Sequence, residues 1–573
     1  MTLRKEDGAA EGFSLVDLEL AHLLTKGAPH PQGGVALAAA LASRQRRVGH
    51  PCLLLEEWAG REHGLLGRES AHGALSMPGT CPNLEDWLAE LRESGVVAHE
   101  GNGGAPQPLV LEAGRLYLQR MHAAEGRVAQ ALLFRMRPLE PPAGLAELLE
   151  RVAPQDGDPL QRQAVEAVFQ RPFHVLTGGP GTGKTSTVGR MLAVALALEP
   201  GLRIRLAAPT GKAAARLQEA LGESLGWLPQ ELRQALSTLP RASTLHRLLH
   251  EAPPLDWLVV DEASMVDLGL MDRVLAFLPP HARLLLVGDA DQLASVDAGA
   301  VLHHVVEGLA GRRVDEGGAP TPMVTTLMAS RRFGQDSAIG RLALAVRTGD
   351  GEAAMAALRG GGEVEWIQRG DARSGVAFSE ALRKGLDPFI KAGSAAEALA
   401  ALDTFRTICG RRSGPQGVEA VNSWCRRQFQ ESGMGSFSPV LIRVNDHVLG
   451  LANGDSGVRE HAPGTGKFHF HTGDTQALSL DEAQVPPHDE AWAITVHQSQ
   501  GSEADELLLV LPEEASPLLC RELLYTGLTR ARKKLVLVAS EAALRQALGN
   551  VTRRSSGLAG KLQVAFAAAE GEC

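Results

Sequence analysis

Gly178-Gly179-Pro180-Gly181-Thr182-Gly183-Lys184-Thr185 spells GxxxxGK[ST] in full, and few eight-residue runs constrain a fold so tightly. It follows the apolar run Phe173–Thr177 and opens a helical pattern, the strand–loop–helix context that a phosphate-binding loop requires. Glycines let backbone N–H groups wrap phosphates, and the helix N-terminus adds partial positive charge. In such a loop Lys184 reaches the β- and γ-phosphates, and the Thr185 hydroxyl ligates Mg²⁺. A purely structural glycine turn is the alternative, and the flanking strand and helix argue against it.

Around this loop the text alternates between short apolar runs and helical patterns. Phe173–Thr177, Arg203–Ala208, Trp257–Val260 and Leu284–Val287 are apolar on both faces, which predicts a parallel sheet covered by helices on each side. Asp261-Glu262 ends one of these strands. Two carboxylates there divide naturally, with Asp261 holding the Mg²⁺ shell and Glu262 polarising the attacking water. A third strand leads into Gly288-Asp289-Ala290-Asp291-Gln292-Leu293, where Gln292 is placed to sense a γ-phosphate. Together these features say nucleoside triphosphatase, but not what the hydrolysis drives, because such sheets serve kinases, switches and motors alike.

Composition narrows the classes. The 573 residues allow about three to five domains. A net charge of −10 argues against a protein that coats duplex DNA through a global positive field, so any nucleic acid must meet a local groove. The six cysteines form no CxxC pair, which reads as thiols in a reducing compartment rather than a metal or disulfide framework. No apolar run approaches the roughly 18 residues of a membrane span, and no apolar stretch follows the N-terminal charges, so a cytoplasmic protein is expected. Tyr117 and Tyr525 are the only tyrosines, which singles out Tyr525 near the last motifs.

Residues 1–145 carry helical patterns at Val35–Leu41 and Leu84–Leu91, a loop at Gly101–Pro106 and no catalytic motif. Pro138–Gly144 and Ala153–Pro159 read as a linker, and Gly311–Pro322 as a loop. A second α/β segment begins near Ser330. Between 437 and 487 turn signals such as Asn453-Gly454-Asp455 predict a small β-barrel inserted into it. The expected domains are therefore 1–145, 151–329 and 330–573, the last carrying the insert.

The second half decides among the nucleotide users. Arg331-Arg332, Thr495–Glu503 and Tyr525–Arg532 place arginines and polar groups where a second lobe would face the phosphates. An arginine across a cleft from such a loop stabilises charge on the transferred phosphoryl group, by about 10³-fold or more in rate. In order along the chain, Gln161–Val165, Gly178–Thr185, Ala207–Ala214, Ala242–Leu249, Asp261–Asp267, Gly288–Leu293, Arg332, Thr495–Glu503 and Arg530 resemble the motif set of RecD-type superfamily 1 DNA helicases, the branch that moves 5′→3′. The resemblance covers about residues 150–540, and the start of the phosphate loop at Gly178 resembles the subunit form more than the free-standing one.

This resemblance implies an α/β fold of two RecA-like P-loop domains with parallel sheets, an inserted SH3-like β-barrel and a mainly helical N-terminal domain. It implies ATP and Mg²⁺ as cofactors, with Gln161 reading adenine, Gly178, Gly179, Pro180, Gly181, Thr182, Gly183, Lys184 and Thr185 around the phosphates, and Thr185 and Asp261 at the metal. Catalysis falls to Lys184, Glu262, Gln292, Arg332 and Arg530, with Arg331 as the rival finger. Thr210, Lys212, Thr244, His246, Thr495, His497 and Gln500 are the candidates for single-stranded DNA. The implied partners are the beta (helicase/nuclease) and gamma (scaffold) subunits of a RecBCD-type heterotrimer, acting in double-strand-break repair and recombination. Residues 1–145 would dock to the gamma chain. No carboxylate–lysine nuclease cluster stands out, which assigns nuclease activity to the beta chain. A free-standing or conjugative 5′→3′ helicase, and a non-motor subunit that binds ATP only for assembly, are the alternatives.

Overall fold

The structure is a computed structural model. It describes residues 12–571 except 27–32, 64–78, 100–106, 154–156, 225, 227, 296, 311–312, 315–320, 331, 333–336, 371, 431–432, 434, 447, 463–464, 472–476, 514–515, 517 and 553. Arg331 and the Gly101–Pro106 loop thus lie outside the described residues.

The first lobe is a six-stranded parallel sheet in the order Val324–Leu327, Phe173–Gly178, Arg283–Gly288, Trp257–Val260, Ile204–Ala208, Ser243–Thr244. Side chains alternate across it. Leu284 and Leu286 enter one core, Leu285 and Val287 the other. Both faces being covered is why these strands read as continuous apolar runs. All the strands run the same way, so the strand end at Gly178, the carboxylates after Val260 and the loop after Gly288 emerge along one edge.

A second parallel sheet has the order Val364–Gln368, Ala531–Ala539, Ala504–Val510, Phe405–Cys409, Ala493–Thr495. The α/β fold of two RecA-like lobes is therefore observed. Between Cys409 and Ala493 the chain leaves for five antiparallel strands, Phe437–Ile442, Ser456–Ala462, Thr465–His471, Ala477–Asp481 and His488–Glu490. Val440, Ile442, Phe468, Phe470 and Leu480 form a core of their own. Among the described residues this insert is an open sheet, with Ala477–Asp481 and His488–Glu490 as its edges, rather than the closed barrel expected.

The N-terminal region is helical, with Gly34–Arg47 and Leu84–Glu93 covering the two expected helices. Gly34–Arg47 is rich in alanine and leucine, strong helix formers, and its residues 34–45 are buried. The region also holds a four-stranded sheet of Cys52–Leu54, Arg115–Leu118, Leu109–Glu112 and Val97–His99, which the sequence reading did not anticipate.

Three expected boundaries shift. Helix Gln119–Phe134 inserts Ala124, Val128, Ala129 and Leu132 into the first lobe's core, so a cut at 145 would open that core. Helix Leu558–Gly571 returns to the same core through Leu558 and Leu562, although it follows the second lobe in sequence. Of the expected linker, Pro138–Gly144 has no regular structure and Ala153–Pro159 lies partly outside the described residues, while helix Leu145–Val152 between them packs Leu145, Leu149 and Val152 onto the first lobe's other face. The expected loop at Gly311–Pro322 pairs Arg313–Val314 with Thr321–Pro322 in its described part.

Candidate nucleotide site and nucleic-acid cleft

The phosphate loop ends at Gly183, whose φ of +88° favours glycine, and helix Lys184–Leu198 starts there with no side-chain cap. Its first N–H groups are left to an anion. A Cβ at Gly183 would stand 2.8 Å from Gln161 Nε2. At Gly181 (φ +74°) a Cβ would collide with the Arg332 side chain. The loop thus closes against both the predicted adenine reader and a predicted finger. Lys184 Nζ donates to Gly178 O (2.6 Å) and Gly179 O (3.0 Å), and Thr182 Oγ1 donates to Gly179 O (2.9 Å).

Helix Pro159–Gln170 is fixed by Asp158, which caps Leu160 N and Gln161 N, with proline at its first position. That places Gln161, fully buried, with Arg190 Nη1 on its Oε1 at 3.0 Å and its Nε2 lacking any hydrogen-bond partner. A buried amide donor without an acceptor fits a purine edge.

Asp261 follows strand Trp257–Val260. Burial and then the adjacent Glu262 push its carboxyl up, and Lys184 and Arg216 oppose this. Glu262 has a φ of +49°, a left-handed backbone uncommon for a side chain of its size and a form of strain found at functional sites. Burial also raises Asp289, against Lys184. Asp261 and Asp289, two buried carboxylates that both feel the Lys184 charge, are a donor set that suits a divalent cation.

The second lobe closes this site. Tyr525 Oη donates to Asp289 Oδ2 at 3.1 Å and would stand 2.9 Å from a Cβ at Gly179. Burial first, then Asp289, holds its phenol protonated. Arg530 Nη2 donates to Gln292 Oε1 at 2.7 Å, with both side chains buried. Leu293 N donates to Thr526 Oγ1 (2.8 Å), and Leu293 O accepts from Gln500 Nε2 (2.8 Å). Arg332 Nη1 meets Glu503 Oε1 at 2.7 Å.

A cavity of about 1090 Å³ lies between Lys212, Arg216, Arg241, Thr244 and Arg247 of the first lobe, Arg406 of the second, and Asp446, Asp455 and His471 of the insert. Burial, then Arg406 and Arg216, lowers the Lys212 ammonium to about 8. Arg406 Nη1 is buried without a hydrogen-bond partner, as a guanidinium poised for an anion would be.

The candidate DNA residues are not all gathered here. Lys212 and Thr244 line the cavity. Thr210 caps Ala213 N at the start of helix Gly211–Ser224 (3.2 Å). His246 is exposed on helix Leu245–Glu251, and His497 is part-buried; neither lines this cavity. Thr495 is buried and bonded to Gln498 inside the second lobe. Gln500 is turned to the lobe interface. Sequence reasoning missed Arg216, Arg406 and Glu503 as site residues. Arg216 had a signal, since it lies four residues after Lys212 on one helix face.

Two parallel-sheet lobes sharing one phosphate loop, with Arg530 of the far lobe reaching Gln292 of the near lobe, define a P-loop helicase-class ATPase. Comparison with known proteins narrows the class. The family model "RecBCD enzyme subunit RecD, N-terminal domain" matches residues 9–117, an AAA domain matches 157–369, and a UvrD-like helicase C-terminal domain matches 490–538. The chain is 39% identical to the RecBCD enzyme subunit RecD of Mycolicibacterium smegmatis, over 97% of this chain and 98% of that one. It is 32% identical to the same subunit of Haemophilus influenzae, covering 92% of each. With the ATP-dependent RecD2 DNA helicase of Deinococcus radiodurans it shares 32% identity over 75% of this chain and 56% of that one. The chain belongs to the RecD family of helicases.

Proposed function

We propose that this chain is the 5′→3′ motor subunit of a RecBCD-type helicase/nuclease complex that processes DNA ends in break repair and recombination. The observation that carries the reading is the nucleotide site's division between lobes: Lys184 and Asp289 come from one, Tyr525 and Arg530 from the other.

In this reading the loop Gly178–Thr185 cradles ATP, Gln161 Nε2 meets the adenine, and Thr185 and Asp261 hold Mg²⁺. When bound there, such an ion would supply positive charge against the phosphates. Glu262 accepts the proton of the attacking water. Arg530, with Arg332, stabilises charge on the transferred phosphoryl, and Gln292 senses its presence. The Gln292–Arg530 contact then makes lobe closure depend on the nucleotide, and cyclic closure moves the protein along a strand. Single-stranded DNA runs through the cleft. Lys212, Arg406 and Thr244 meet its phosphates without reading sequence. Thr210, His246 and His497 remain secondary candidates, while the burial of Thr495 and Gln500 argues for a supporting role.

The N-terminal region is the proposed dock for the gamma chain, with the beta chain completing the heterotrimer, all in the cytoplasm. Among the described residues no helix is long and apolar enough to cross a membrane. A subunit that binds ATP only for assembly would need neither Glu262 nor Arg530. The test is steady-state ATPase of the full chain with and without single-stranded DNA. Strong stimulation is expected, and hydrolysis indifferent to DNA would reject the motor reading.

A further inference from the structure

Glu503 is nearly buried, with its side chain 9% exposed, and it is shared by arginines from two directions. Its Oε1 takes Arg332 Nη1 at 2.7 Å, and the Arg332 side chain lies against Gly181 of the phosphate loop. Its Oε2 takes Arg216 Nη2 at 3.0 Å and Arg532 Nε at 3.1 Å. Arg216 and Arg532 line the cleft, and Arg332 does not. One carboxylate therefore joins, through one oxygen, an arginine packed on the phosphate loop and, through the other, two arginines of the cleft. Burial alone would raise this carboxyl, but Arg216, Arg332, Arg530 and Arg532 outweigh it and hold it down at about 2. It remains a full negative charge in neutral solution.

We infer that Glu503 is a positioning residue that couples the two sites by rationing its single charge among Arg332, Arg216 and Arg532. The inference rests on reading the cleft as the path of single-stranded DNA. A γ-phosphate beside Gly181 competes with Glu503 for Arg332. When Arg332 turns to the phosphate, the whole carboxylate charge is left to Arg216 and Arg532. Both are then held more firmly and are less available to DNA phosphates. Triphosphate binding loosens the grip on the strand, and the grip returns after phosphate leaves. By linkage, DNA that draws Arg216 and Arg532 away leaves Arg332 more firmly on Glu503 and weakens triphosphate binding by the same factor. A motor needs such alternation, since a lobe that never loosens cannot step.

The test is fluorescence anisotropy of a labelled oligo(dT) with the full chain, with and without a non-hydrolysable ATP analogue. For the wild type the analogue should weaken DNA binding at least about fivefold, within the usual range of coupling between sites. In Glu503→Gln the DNA should bind more tightly without nucleotide, and the analogue should shift its Kd less than twofold. Arg332→Ala supplies a second variant. It should bind DNA at the weakened level from the start and respond little to the analogue. A full shift surviving in either variant, or none in a wild type that binds DNA, overturns the inference. A wild type that does not bind the oligonucleotide overturns the reading beneath it.

Discussion

Arg530 and Gln292, 238 residues apart in the chain, meet at 2.7 Å across two lobes with both side chains buried. Arg530 is braced from behind by Thr526 O, which accepts from its Nε at 3.0 Å. The guanidinium is thus aimed rather than loose, and its partner is the glutamine after the Asp289 loop. Arg530→Ala should lower DNA-stimulated kcat by about 10³-fold or more, with nucleotide affinity changed far less. Arg530→Lys should not rescue it, because an ammonium lacks the planar fork that serves Gln292 and Thr526 together. Turnover near wild type in either variant would remove Arg530 from the site.

Lys184 and Glu262 should fail differently. Lys184→Gln removes the charge at the phosphates, so analogue binding and turnover both fall, the latter by about 10²-fold or more. Glu262→Gln keeps the cradle, so the analogue binds while hydrolysis stalls. Equilibrium binding beside single-turnover hydrolysis separates them. Brisk hydrolysis by Glu262→Gln would reassign the base.

DNA binding should weaken with rising pH. Lys212 is lowered to about 8 by burial and its arginine neighbours, so its positive charge is present below that value and lost above it. The affinity for oligo(dT) should therefore fall between pH 7 and 9, and Lys212→Arg should flatten the profile because arginine stays charged throughout. An unchanged slope in the variant would place Lys212 away from the strand.

The N- and C-terminal segments should be thermodynamically inseparable from the first lobe. Glu125, fully buried, accepts from Tyr117 Oη (3.0 Å), Ser556 Oγ (2.6 Å) and Gly557 N (3.1 Å), and lies 3.3 Å from Lys561 Nζ. Glu125→Ala leaves these donors unpaired and should cost about 3 kcal/mol. Thermal unfolding should show the loss as a midpoint several degrees lower, and an unmoved midpoint would deny that Glu125 ties the C-terminal segment to the first lobe.

What the sequence made legible is what is local. The Gly178–Thr185 run and the carboxylates after Val260 are short, contiguous and set by strand–loop–helix geometry. Their placement on one sheet edge followed from parallel strands alone. Gln500 shows the limit: its motif was visible, but which face of the loop meets Leu293 depends on how two lobes close. The strands Cys52–Leu54 and Val97–His99 are three residues each, too short for an alternation to register. Nothing near Leu558 signals that it joins the same core as Val128, more than 400 residues earlier, because that packing exists only once the chain has folded back.

Directional unwinding tests the account most directly. Partial duplexes bearing either a 5′ or a 3′ single-stranded tail are incubated with the full chain, ATP and Mg²⁺, and strand separation is followed over time. The account predicts ATP-dependent unwinding from the 5′ tail, little from the 3′ tail, and none with Glu262→Gln. Unwinding that prefers the 3′ tail, or that survives in the Glu262 variant, would contradict it.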